Sequence, residues 1–143
     1  SWDVIILQEN IEVAINDGIA TLESIKAFEA LVGNKGTQIY LLMPWPYKDQ
    51  PEMSMPIKKT IEDGAQAIGA TIIPVGEVWR AINEEGNPDI DLYDADGLHP
   101  SLQGTFLAAS MCYSSIYNRN PSENPYTADL ENSIALYLKQ KAD

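Results

Sequence analysis

The chain has 143 residues, 45% of them hydrophobic, a net charge of −12 and a single cysteine. That length supports one domain, residues 1–143, around one core. The acidic surface repels phosphate backbones and anionic headgroups, which argues against nucleic acid and against anionic membranes, and no apolar run approaches the roughly 20 residues that span a bilayer.

Residues 3–8, Asp-Val-Ile-Ile-Leu-Gln, are short, apolar and β-branched, the pattern of a strand buried on both faces of a parallel sheet. A helix is expected over residues 17–32, with Ile19, Leu22, Ile25, Phe28 and Leu31 on its buried face. Gly33-Asn34-Lys35-Gly36 supplies its stop. This glycine pair follows a helix rather than a strand, so it is no phosphate loop. Residues 37–43 are a second strand, ended by Pro44-Trp45-Pro46 because proline cannot continue a ladder.

A second helix is expected over residues 53–68, closed by Gly69, then a third strand over 70–74 and a short helix over 76–83. Residues 84–99 read as a loop with two glycines and four aspartates. A helix over 101–117 is apolar along Leu102, Phe106, Leu107, Met111, Tyr113 and Ile116, and Cys112 within it reads as a buried structural thiol. A linker over 118–125 leads to a last helix over 128–141. Strands alternating with helices imply a parallel sheet with right-handed crossovers. Three strands are few beside the usual five or six. Part of the sheet is therefore expected to lie outside this chain, leaving the first strand with a bare edge.

Ligands of open α/β sheets sit beyond the carboxyl ends of the strands. Three segments belong there: Gln8-Glu9-Asn10, Pro44-Trp45-Pro46-Tyr47 and the loop Asp94 to Pro100. His99 is the only histidine, and Asp96 precedes it by three residues. A turn would place the Asp96 carboxylate on one ring nitrogen and leave the other to take a proton from a serine. On spacing alone the plainer reading, that His99 caps or packs the helix with Asp96 exposed, is the more economical. Trp45 fits equally a platform for a sugar or acyl group and a core aromatic, whereas Trp79 and Tyr93 read as core. Asp89, Asp91, Asp94 and Asp96 do not make an EF-hand loop, since counting from Asp89 its fifth position is Tyr93. Glu9 and Glu77 can approach the site, but nothing requires it. No metal and no cofactor is implied.

Asp96-Gly97-Leu98-His99-Pro100 resembles the Asp-x-x-His block of SGNH (GDSL-like) hydrolases, and the Ser101–Ala109 stretch resembles the helix that follows it there. Trp2 to Asn10 resembles the family's third block, a strand ending in Gly-x-Asn-Asp, in a branch with Leu-Gln-Glu. Gln8 replaces the usual glycine and Ile11 the second polar residue. Asn10 and Asp96 stand 86 residues apart. The resemblance covers essentially this whole chain but only the latter two-thirds of the family's domain. It implies a flavodoxin-like three-layer α/β/α fold with a parallel sheet, here without its first strands. It also implies a serine hydrolase of carboxylic esters, including carbohydrate O-acetyl esters, and favours a periplasmic or secreted location. His99 would be general base and acid, Asp96 its orienting partner and Asn10 an oxyanion donor, with Gln8 in reserve. The family's Gly-Asp/Asn-Ser block, which carries the nucleophile, does not occur here. Ser101 is too close to His99 and sits where serine caps a helix. The expected partners are therefore a small-molecule or carbohydrate ester, and either the N-terminal segment of the same domain or a second copy joined through the bare edge. The competing expectation is a non-catalytic binding or cell-surface domain of the same fold.

Overall fold

Three short strands, β1 (Val4–Leu7), β2 (Gln38–Leu42) and β3 (Thr71–Ile73), form one parallel sheet in the order β1-β2-β3. Val4 pairs with Gln38 and Leu7 with Leu41, while Tyr40 pairs with Thr71 and Leu42 with Ile73. The helices are α1 (Ile11–Asn16), α2 (Gly18–Val32), α3 (Ser54–Ile68), α4 (Val75–Glu85), α5 (Leu102–Tyr117) and α6 (Asn132–Lys141). The computed structural model describes residues 2–32 and 36–143. The helix stop expected at Gly33-Asn34-Lys35 lies outside them. Contacts group the chain into two compact units. These are Ser1–Pro46 with Glu52–Glu77, and Tyr47–Pro51 with Val78–Asp143.

The first unit holds the sheet, α1, α2, α3 and the start of α4. Its core gathers Tyr40, Leu41 and Leu42 of β2, Ile57 and Ile61 of α3, and Ile73 of β3. β2 is the central strand and the most buried. β1 differs from the expected doubly buried strand: it is half-buried at best, and Ile6 is exposed. It is an edge strand, so one of its sides carries no ladder among the described residues. The five-residue stripe of α2 is likewise only partly used. Ile25 is buried, but Ile19, Phe28 and Leu31 are exposed, and Thr21 is buried instead. Past β2 the chain is held by a close approach. Gly76 donates to the Met43 carbonyl at 3.0 Å. A Cβ on Gly76 would lie 2.1 Å from the Pro44 oxygen.

The second unit is built on α5 and α6, with the rest of α4. Trp79 and Tyr93 are core, as expected, with ring centroids 5.3 Å apart in an edge-to-face pair. Leu92, Leu107 and Leu138 are fully buried beside them in this unit's core. Cys112 is half-buried, and burial pushes its thiol pKa up, which keeps it protonated and unreactive. The last helix begins at Asn132 rather than 128. Ala128 and Asp129 adopt φ of 53° and 62°, left-handed values that a right-handed helix cannot contain.

Candidate functional site

The loop from Leu92 to Ser101 is closed on itself before any side chain is considered. Tyr93 and Pro100 form an isolated antiparallel bridge. Asp94 donates to the His99 carbonyl at 2.8 Å, and Ser101 to that of Leu92 at 2.9 Å. The tip is a turn in which Gly97 donates to the Asp94 carbonyl at 3.0 Å with φ of 68°, a conformation glycine adopts without penalty. Lys48 donates its own N–H to the Gly97 carbonyl at 2.9 Å.

The start of α5 fixes the base of the loop. Ser101 is the N-cap: its Oγ accepts from the Gly104 N–H at 3.1 Å and donates to the Asp91 carbonyl at 2.6 Å. Gln103 clamps the same strand of loop from both sides, accepting from the Asp91 N–H at 2.9 Å and donating to the Asp89 carbonyl at 3.2 Å. Gly104 allows the helix to press in. A Cβ there would lie 2.2 Å from the Leu92 oxygen and 2.4 Å from the Trp79 ring. Lys48 completes the brace with an ion pair to Asp91 at 3.0 Å, and this holds the Asp91 carboxyl below its usual range.

On this platform Asp96 and His99 meet. Asp96 Oδ1 accepts from the backbone N–H groups of Leu98 and His99, both at 2.9 Å. Its Oδ2 lies 2.6 Å from His99 Nδ1. One carboxylate thus serves the backbone and the ring at once. The hydrogen bond from His99 and the two from the backbone pull the Asp96 pKa down to about 2, while Asp96 raises that of His99. An ionised Asp96 accepts, so Nδ1 carries the hydrogen and Nε2 is the nitrogen that takes a proton. The His99 side chain is 71% exposed and that of Asp96 50%. The shifts therefore come from hydrogen bonding and charge, not from burial.

The spacing-only alternative had His99 capping or packing the helix with Asp96 exposed. Asp96 is exposed, and the observed turn also joins its carboxylate to the His99 ring. Ser101, the serine nearest in sequence, has its hydroxyl committed to the Asp91 carbonyl and the Gly104 N–H. Among the described residues no group of three or more His, Cys, Asp or Glu side chains is arranged to hold a metal ion. Asp91, Asp94 and Asp96 spend their oxygens on Lys48, backbone N–H groups and His99. Lys48, Gln103 and Gly104 were not singled out from sequence as supports of this loop. Ser101 and Gly104 carried a signal, a capping residue and a glycine in the first turn of a helix, but Gln103 carried none.

The other sequence candidates belong to the first unit. Asn10 is the N-cap of α1, its Oδ1 accepting from Glu12 N–H at 2.9 Å and Val13 N–H at 3.4 Å. Its carbonyl oxygen is therefore spent on the helix, and its NH2 is the part left to donate elsewhere. Gln8 is exposed and lines a groove with Ile6, Glu9 and Phe28. Trp45 is only 9% exposed, which leaves little ring face for a sugar. Glu9 accepts from the Asn10 N–H at 2.7 Å, and Glu77 pairs with Lys58.

No protein-family model and no curated protein matches the chain. A solved structure does: a DUF4886 family protein from Bacteroides uniformis ATCC 8492, with a TM-score of 0.74 and 24% identity over 99% of this chain. The chain spans 61% of that protein's length. The likeness is one of fold: an α/β chain with a parallel sheet flanked by helices, consistent with a three-layer α/β/α class.

Proposed function

We propose that the chain carries the acid–base part of a serine hydrolase acting on carboxylic esters, carbohydrate O-acetyl esters among them. The observation that carries this reading is the 2.6 Å contact of Asp96 Oδ2 with His99 Nδ1 on a braced loop, with Nε2 turned over to proton transfer. His99 Nε2 takes the proton of a serine hydroxyl as its oxygen bonds to the ester carbon. It then gives that proton to the departing alcohol as the ester C–O bond breaks. Water, activated by the same nitrogen, releases the acid and restores the serine. Asp96 holds the tautomer and offsets the charge on the imidazolium.

The nucleophile belongs, on this reading, to a segment of the polypeptide outside residues 1–143. The free edge of β1 is where that segment adds its strand. The groove beside it, about 370 Å³, mixes apolar lining from Ile6, Ile25, Phe28 and Leu41 with the polar side chains of Gln8, Glu9 and Ser24.

The test is a fluorophosphonate probe on the native protein, read by intact mass and peptide mapping. The expected result is one adduct on a serine outside these residues, lost in His99→Ala. A fall of about 10⁶-fold in hydrolysis of a p-nitrophenyl acetate substrate should accompany His99→Ala. An adduct on a serine of this chain would move the nucleophile. Absence of any adduct on the full polypeptide would replace the reading with a non-catalytic binding or cell-surface domain.

A further inference from the structure

Lys139 on α6 is 6% exposed, and a charged side chain that deep is ordinarily held by an opposite charge. Among the described residues no carboxylate pairs with it. Its ammonium donates to the Asn124 carbonyl and lies 5.8 Å from the centroid of the Phe106 ring. A carbonyl dipole and a ring face ease the burial of a cation, but neither neutralises it.

Asn124 and Phe106 also line a cavity of about 110 Å³ in the second unit. Ala109, Tyr113, Pro121 and Tyr126 complete its apolar lining, and Ser110 adds a hydroxyl. Tyr126, in the same lining, is 69% exposed. Lys139 is itself one of the residues lining this aromatic-rich space. In volume that space is close to the ~150 Å³ apolar cavity that takes up benzene in another protein. One ring or one short branched chain fits such a volume. A single cation matches a monoanion, whereas a phosphate dianion would bring in a second charge with nothing to meet it.

We propose that this cavity binds a small amphipathic monocarboxylate, its acid group on Lys139 and its hydrocarbon part between Phe106, Tyr113 and Tyr126. The site is independent of the Asp96–His99 pair and stands whether or not the chain serves a hydrolase.

The experiment is calorimetric titration of the native protein with benzoate and with benzamide, which has the same size and no charge. Benzoate should bind at least about tenfold more tightly than benzamide. Lys139→Met keeps the apolar stem and removes the ammonium. It should weaken benzoate by about tenfold or more and leave benzamide within about twofold. Equal affinity for the two ligands overturns the proposal, as does unchanged benzoate binding in Lys139→Met or no benzoate binding up to about 10 mM. Should Lys139→Met not fold, Tyr126→Ala, at an exposed residue of the lining, takes its place. It should weaken both ligands, and affinities unchanged in it count against the site.

Discussion

Asp96 and His99 face water, so what ties them is geometry. A three-residue turn lets one carboxylate accept from two backbone N–H groups and from the ring, and the ion pair is strongest when both partners are charged. His99 has its pKa raised from 6.5, so its contribution to folding is full below that value and is lost as pH rises through the raised one. Asp96 is lowered from 3.8 to about 2, so its contribution is present above 3.8 and is lost as pH falls toward 2. The pair therefore supports the fold most between about pH 4 and 6.5. Because His99 is the only histidine, its ring carbon gives a single resonance in a proton–carbon titration. That resonance should titrate above 6.5 in the native chain and move down toward 6.5 in Asp96→Asn. An unchanged midpoint in Asp96→Asn would mean that the pair does not exist in solution. The pairing was half legible in the sequence. The three-residue spacing allowed it, but the spacing fitted an unpaired carboxylate beside a helix-capping histidine as well. What decides between them is Gly97 at φ 68°, which folds the tip back, and Lys48, whose partnership with Gly97 and Asp91 crosses more than forty residues of sequence.

At the scale of elements, the first turn of α5 is a clamp whose parts differ in cost. Ser101→Ala removes the cap and the hydrogen bond to Asp91, for which a loss of about 1 kcal/mol is expected. Gly104→Ala is worse, because the new Cβ meets a backbone carbonyl and a fully buried indole, neither of which can yield easily. A loss of about 2–3 kcal/mol is expected from overpacking of this kind. Urea unfolding measures both. If Gly104→Ala proves no more costly than Ser101→Ala, the close approach of α5 to Leu92 is wrong. The elements were legible where their signals were local. β2, α3 with its left-handed Gly69, and α5 fall within a residue or two of expectation. α1 was missed, because the residues after β1 were read as the strand's functional end. Asn10 followed two residues later by Glu12 carried the capping signal. The stripe on α2 was real as a pattern, but a periodic pattern does not say whether a partner surface is present to cover it.

Two opposing forces act on the molecule as a whole. The net charge of −12 keeps copies apart, while Ile6, Ile19, Phe28 and Leu31 of the first unit leave apolar surface in water. The exposed ion pairs, such as Lys59 with Asp63 and Arg80 with Glu84, change this balance little, since each is worth well under about 1 kcal/mol. Salt distinguishes the two forces. Raising ionic strength from about 0.01 M to 0.15 M shortens the screening length from roughly 30 Å to 8 Å, which removes most repulsion between copies. It leaves apolar attraction in place. The chain of 143 residues should therefore be monomeric at low salt and gain mass by light scattering as salt is added. Replacing Ile19 and Leu31 together by Gln keeps both the charge and a good helix former, so the double variant isolates the apolar term. It should hold the monomer mass at the higher salt and shift the unfolding midpoint little, because both side chains are already exposed. A wild-type mass that does not respond to salt would mean that the apolar face is too small or too dispersed to drive association.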